Sequence, residues 1–162
     1  MSKPVIDKDS EDRTLHDELL FLASAMQGWR PTMEDTHYGG IIIIGKGIAS
    51  LACVFDGHGG DLVAIEAAKH IKSKLEAMLC DVDISDPDAI GVVMQDAFLS
   101  LDDDLRKHPH IVRGYDQSGC TAIVAIITDS HFIVANAGDA RGILMQWDGT
   151  VKPMSFDHKP IN

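Results

Sequence analysis

The apolar residues of this chain change their spacing twice, and that change constrains the fold more than any other feature of the sequence. Leu62, Ile65, Ala68, Ile71, Leu75 and Met78 fall three or four apart, the stripe of an amphipathic helix of about five turns. A second stripe, Ile90, Val93, Met94, Ala97, Phe98, Leu101 and Leu105, follows Asp86-Pro87, an N-cap residue with proline at the first helical position. On either side the pattern is strand-like. Leu19 to Ala25 is a short apolar run, and Thr36 to Ile44 ends in four isoleucines whose β-branched side chains favour a buried strand. Gly45-Lys46-Gly47 then turns the chain into Ile48 to Phe55, a hairpin. Beyond Ser118 the strand pattern returns over Thr121 to Thr128, Phe132 to Ala135 and Gly142 to Trp147, with Asp148-Gly149 turning into Thr150 to Met154. Strands, two helices, strands is the order of an α+β fold, an antiparallel sheet covered by a helical pair, and not the alternation of a Rossmann fold.

With 162 residues, 45% of them hydrophobic, the chain is one domain's worth, and about 69% of its unfolded surface is expected to be buried. Residues 1–16 are charged and aperiodic and read as a flexible arm, leaving 17–162 as the folded domain. Fourteen Lys+Arg stand against 25 Asp+Glu, a net charge of −11, which argues against nucleic acid or an anionic membrane as partner. Clustered acids could instead hold divalent cations. Cys53, Cys80 and Cys120 are odd in number and lack CxxC spacing, so neither a disulfide framework nor a zinc site is expected, and a reducing cytoplasmic or nuclear setting fits. The polar start is unlike a signal peptide, and the longest apolar region, Ile41 to Phe55, is too short and too interrupted to span a bilayer.

Three segments could carry chemistry. Val54-Phe55-Asp56-Gly57-His58-Gly59-Gly60 ends a strand in a carboxylate, a glycine and an imidazole just before a helix, with glycines that let a ligand approach the backbone. Arg30-Pro31-Thr32-Met33-Glu34-Asp35-Thr36-His37 sets an arginine four residues before paired acids. Antiparallel pairing of Thr36 to Ile44 with Ile48 to Asp56 brings Glu34 and Asp56 out at the same end. Two oxygen ligands there suit Mg²⁺ or Mn²⁺, and the guanidinium suits a phosphate; the same residues also read as turn positions with a surface ion pair. The third segment joins Ser118-Gly119-Cys120-Thr121-Ala122 to Asn136-Ala137-Gly138-Asp139-Ala140-Arg141, tight turns in which Asp139 could add a carboxylate.

In this order the segments resemble the metal-dependent protein phosphatases, the type 2C or PPM family of Ser/Thr phosphatases. Arg30 to His37 is similar to that family's RxxMEDxH, Leu51 to Gly59 to its FDGHG, Ser118 to Ala122 to SGxTA, Asn136 to Arg141 to NxGDSR, with Ala140 for serine, and Asp157 to Pro160 to DHKP. The resemblance runs from about Leu22 to the last residue. It implies an antiparallel β-sandwich flanked by helix pairs, in α-β-β-α layers, of which this sequence holds the N-terminal part. The family's later motifs, with two further aspartate ligands, are not in it.

The resemblance also implies roles. Asp56 would bridge two Mg²⁺ or Mn²⁺ ions, Glu34 and the Gly57 carbonyl would complete the ligands of one, and Asp35 would stand behind them. Asp139 would serve a third, weaker ion. Arg30 would clamp the phosphate, and His58 would be the general acid that protonates the departing Ser or Thr oxygen, a task suited to imidazole. His37, His158, Met26 and Met33 read as structural, Cys53 and Cys120 as buried and inert, and Asp102-Asp103-Asp104 as a solvated face. Two functions follow: hydrolysis of phosphoserine and phosphothreonine in proteins, or a catalytically weak phosphatase-like module that binds a partner, associates with itself or is completed by another chain.

Overall fold

The computed structural model describes residues 3–160. Its centre is a four-stranded antiparallel sheet in the order β3 (Thr36–Ile44), β4 (Gly47–Phe55), β7 (Ala122–Ile127) and β8 (Phe132–Ala137). The β3–β4 hairpin keeps unbroken register from Ile44↔Gly47 to Thr36↔Phe55. Alternation along these strands sorts the side chains. Ile42, Ile44, Leu51, Phe55, Val124 and Ile126 are buried under the helices, whereas Ile41 (45% exposed) and Ile43 (55%) face away from them. The run of four isoleucines is therefore half core and half outer face, because successive residues of a strand cannot share one side.

Two helices cover the inner face. α1 (Leu62–Met78) buries Ala64, Ala67, Ala68, Ile71 and Leu75, and α2 (Pro87–Leu105) buries Ile90, Met94, Ala97 and Leu101. Alanines on both buried stripes let the helices approach closely. Asp86 caps α2 as its sequence requires, its Oδ1 accepting from Ala89 N at 3.0 Å. Lys74 crosses between the helices to Ser100 and Asp104, and Asp104 is held down to about 2 by Lys74 and then Lys107. The edge of β3 is not left bare. Ile43 N donates to Glu76 on α1, and Glu76 also accepts from Lys72.

On the outer face lie two hairpins. β1 (Val5–Thr14) pairs with β2 (Leu20–Gly28) around a single 3-10 turn, and β9 (Ile143–Met145) pairs with β10 (Val151–Pro153). Between them and the sheet runs an apolar groove of about 740 Å³, with Phe21, Val54, Ile123 and Ile143 among its walls.

The arm expected over residues 1–16 is corrected over its described part: residues 5–14 form a strand paired antiparallel with β2, its register broken between Val5 and Lys8. Its side chains are exposed on nearly every position, so no hydrophobic period marks it. The ladder to β2, the Ser10–Ser24 hydrogen bond, Arg13 donating to the Gly39 carbonyl and the Glu11–His37 pair hold it instead. Residues 1 and 2 of the expected arm, and 161 and 162 of the expected domain, lie outside the described residues.

Candidate active site

The site is built at the end of the β3–β4 hairpin. Register pairs Thr36 with Phe55, so the next residues outward, Asp35 and Asp56, face one another across the ladder. Their carboxyls come within hydrogen-bonding reach, and Asp35 is pushed above the usual carboxylate range by partial loss of solvent, then by the charge and hydrogen bond of Asp56, while Arg30 pulls it back. Asp35 as a whole remains open to solvent, so the neighbouring carboxylate is the more telling cause. Two carboxyls meeting at an exposed strand end form an all-oxygen pocket for charge, and a hard divalent cation is the group that such donors fit.

Glu34 stands beside them, its Oε1 accepting from Thr32 Oγ1 at 2.8 Å. A side chain at Gly57 would strike the Glu34 main-chain carbonyl, so glycine is what lets the DGHG turn lie against the Glu34-Asp35 segment. The turn bearing Arg30 is closed by Gln27, whose Nε2 donates to the carbonyls of Arg30 (3.0 Å) and Pro31 (3.1 Å). Arg30 is exposed, and its guanidinium is the cation felt by Asp35.

Behind Asp56 stands Thr121. Its N–H donates to the Asp56 carbonyl at 2.8 Å and its Oγ1 accepts from Asp56 N at 3.3 Å, so one residue clamps both main-chain polar groups of the aspartate. Gly138 (φ +106°) packs on the same threonine, where a side chain would meet Thr121 Cβ at 2.7 Å. Asp139, on the turn after β8, is thereby tied to the Asp56 region through Thr121. Among the described residues no three of His, Cys, Asp and Glu are arranged to hold a metal ion, so Asp139 is not gathered with Glu34 and Asp56 into one cage.

The DHKP segment straps that turn from outside. Arg141 grips Asp157 through Nε (2.9 Å) and Nη2 (2.7 Å), holding its carboxyl far below the usual range, and Lys159 adds a third contact. His158 Nδ1 accepts from Gly138 N, and the main-chain N–H of His158 donates to the Gly138 carbonyl at 2.9 Å. Asn136 Nδ2 donates to the carbonyls of Gly138 and Phe156.

His58 lies two residues past Asp56 on β5 (Gly57–His58), which pairs with β6 (Gly119–Cys120). The imidazole is exposed and sits over the Gly119 α-carbon. Of the cysteines, Cys53 is buried with its thiol pushed far up, and Cys120 is pushed to about 11 by burial, then by Asp102 and Asp56; Cys80 is exposed. Sequence reasoning missed Asp116 and gave Gly119 and Thr121, though it singled out their segment, no role of their own. SGxTA marked the last two only as small turn residues, and Asp116, two residues before a serine, carried no signal beyond a local turn.

Residues 20–162 match the family model described as protein phosphatase 2C. The chain is 38% identical over 172 residues to protein phosphatase 2C homolog 2 of Schizosaccharomyces pombe, covering 100% of this chain and 43% of that protein. It is 35% identical to the Aspergillus flavus protein of the same name, covering 100% and 38%. A probable protein phosphatase 2C of Paramecium tetraurelia is 38% identical, covering 89% and 48%. The chain thus spans less than half the length of these relatives. Among solved structures, a bacterial serine phosphatase superposes with a TM-score of 0.60 at 16% identity, over 94% of this chain and 56% of that one. A sex-determining protein of C. elegans superposes at 0.67 and 21% identity, over 96% and 35%. At these identities the two structures speak for the fold, an α+β sandwich type of which this chain holds part.

Proposed function

The chain belongs to the protein phosphatase 2C family, and from that premise we propose that it carries the phosphate-binding and proton-donating half of a metal-dependent Ser/Thr protein phosphatase. The observation that carries the proposal is the meeting of the Asp35 and Asp56 carboxyls at the hairpin end, beside Arg30 and one turn from His58. Asp56, Glu34 and the Gly57 carbonyl would hold Mg²⁺ or Mn²⁺, with Asp139 contributing to a further ion. Bound there, such ions supply a water of lowered pKa and neutralise phosphate oxygens.

The chain's own groups do the rest. Arg30, exposed to solvent, offers two parallel N–H donors to a phosphoryl group. Asp35 sets the charge around Asp56. His58 would donate a proton to the oxygen of the departing seryl or threonyl side chain, which is a poor leaving group as an alkoxide. The net charge of −11 disfavours a nucleic-acid substrate, and three unpaired cysteines go with a reducing cytoplasmic or nuclear setting. No described helix is long and apolar enough to cross a membrane.

The lack of a three-residue metal cage among the described residues favours a second reading, a phosphatase-like module that binds a partner in the outer groove without turnover. Calorimetric titration with Mn²⁺, alongside release of phosphate from a phosphoserine peptide, separates them. The phosphatase reading expects binding and turnover that Asp56→Ala abolishes. Cation binding left unchanged in that variant would sink the site assignment, and binding without turnover would favour the module.

A further inference from the structure

We infer that Gly119, braced by Ser118 and Asp116, is a positioning residue that fixes where the His58 imidazole stands; this rests on the reading of His58 as the proton donor. The β5–β6 ribbon is only two pairs long, Gly57↔Cys120 and His58↔Gly119, so its own ladder gives it little rigidity. What fixes it is contact on both sides.

On one side the ring lies against a missing side chain. A Cβ at Gly119 would fall 2.7 Å from His58 Nε2 and 3.1 Å from Cε1, closer than such atoms approach. Gly119 does not have a positive φ, so its backbone would accept alanine. The need for glycine here is the space taken by the ring.

On the other side Ser118 bolts the ribbon to α1. Asp61, at the N-cap position, makes no side-chain cap bond. Ser118, 55 residues past Val63, takes that place: its Oγ accepts from Val63 N at 3.2 Å. The hydroxyl donates in turn to Asp116 Oδ1, which also accepts from Ser118 N at 2.9 Å, so both serine donors are spent on one carboxylate oxygen. Gly60 lets the turn come this close, since a Cβ there would meet Ser118 Cβ at 3.1 Å. Asp116, Ser118 and the first turn of α1 thus hold β6 still, and Gly119 on β6 seats the ring.

Gly119→Ala tests this with little risk to the fold, because the atom displaced is the free end of an exposed side chain. NMR three-bond Hα–Hβ couplings and ring-to-Gly119 NOEs should show one His58 χ1 rotamer in the wild-type chain and another in Gly119→Ala, with the amide shifts of the helices unmoved. An imidazole that keeps its rotamer in the variant, or that already averages over rotamers in the wild type, overturns the inference. Ser118→Ala should speed hydrogen exchange at Val63 and blur the His58 rotamer, and Ser118→Thr, which keeps the hydroxyl, should restore both; a sharp rotamer in Ser118→Ala would remove the brace from the scheme. In turnover, Gly119→Ala should slow a phosphoserine peptide by roughly a hundredfold, as misplacement of a catalytic group does, and an aryl phosphate much less. His58→Gln measured beside it keeps the two ideas apart. Equal losses on both substrates in His58→Gln would defeat the proton-donor reading while the rotamer result still decides the positioning role.

Discussion

Three glycines allow the conformational and steric costs of a side chain to be read separately, and they test how tightly the Asp139 turn is pressed onto the site. Gly138 carries both costs: its φ of +106° is a region that L side chains rarely adopt, and a Cβ would meet Thr121 Cβ at 2.7 Å and Cα at 3.3 Å. Gly114, after the short helix α3 (Pro109–Val112), has φ +71° with nothing within 4 Å of the added atom. Gly91 sits inside α2 with ordinary φ and open space. A left-handed alanine costs about 1–2 kcal/mol, and overpacking a rigid contact about 1–3 kcal/mol more. Gly138→Ala should therefore lose about 2–5 kcal/mol, and Gly114→Ala about 1–2 kcal/mol. Gly91→Ala should gain about 0.5–1 kcal/mol from helix propensity. For a chain of this size these are Tm changes of roughly −4 to −20 °C, −2 to −8 °C and +1 to +4 °C. Thermal melts followed by circular dichroism at one pH give the order directly. Gly138→Ala melting no lower than Gly114→Ala would show that the turn is not packed on Thr121, and the link from Asp139 to Asp56 would fall with it.

Leu75→Ala should cost about 2–5 kcal/mol in a urea melt, because Leu75 is fully buried between α1 and the sheet; Leu99→Ala, on a residue 64% exposed, should cost little, and equal losses would mean the core is misplaced. Asp104→Asn should lower stability at pH 6 and do so by much less at pH 2. Lys74 and Lys107 depress the folded carboxyl to about 2, so its contribution is complete above the unfolded pKa of about 3.9 and is lost as pH falls from there through about 2. A loss as large at pH 2 as at pH 6 would assign the effect to something other than charge.

The elements legible in the sequence are those with a strong apolar pattern. α1 and α2 each set an apolar stripe against a polar one, β3 and β4 are apolar runs joined by a glycine turn, and their residues stand where the pattern puts them. β1 was illegible for the converse reason: exposed along nearly all of its length, it has no stripe, and its pairing rests on main-chain bonds that charged residues make as readily as apolar ones. In the site, Arg30, Glu34, Asp35, Asp56 and His58 were legible because they lie in two short segments joined by one hairpin, whose register dictates that they emerge together. The sequence order of Glu34 and Asp35 could not say which acid meets Asp56. That is decided by the ladder, which pairs Thr36 with Phe55 and so sets Asp35 opposite Asp56.

What holds those residues in place comes from farther along the chain and from groups that look generic. Thr121 acts on Asp56 through one N–H and one hydroxyl, Ser118 acts on α1 through its hydroxyl, and Gly119 and Gly138 act by having no side chain. In sequence, such residues are turn formers like any others. Their effect depends on β7 lying beside β4, which delivers residues 118–121 to the end of the hairpin where Asp56 emerges. The site is therefore a joint between two parts of the chain: the hairpin supplies the charges, and the strand added 65 residues later clamps the backbone that carries them. Disturbing either part should move Asp56, because a carboxylate at a strand end is only as fixed as the main chain behind it.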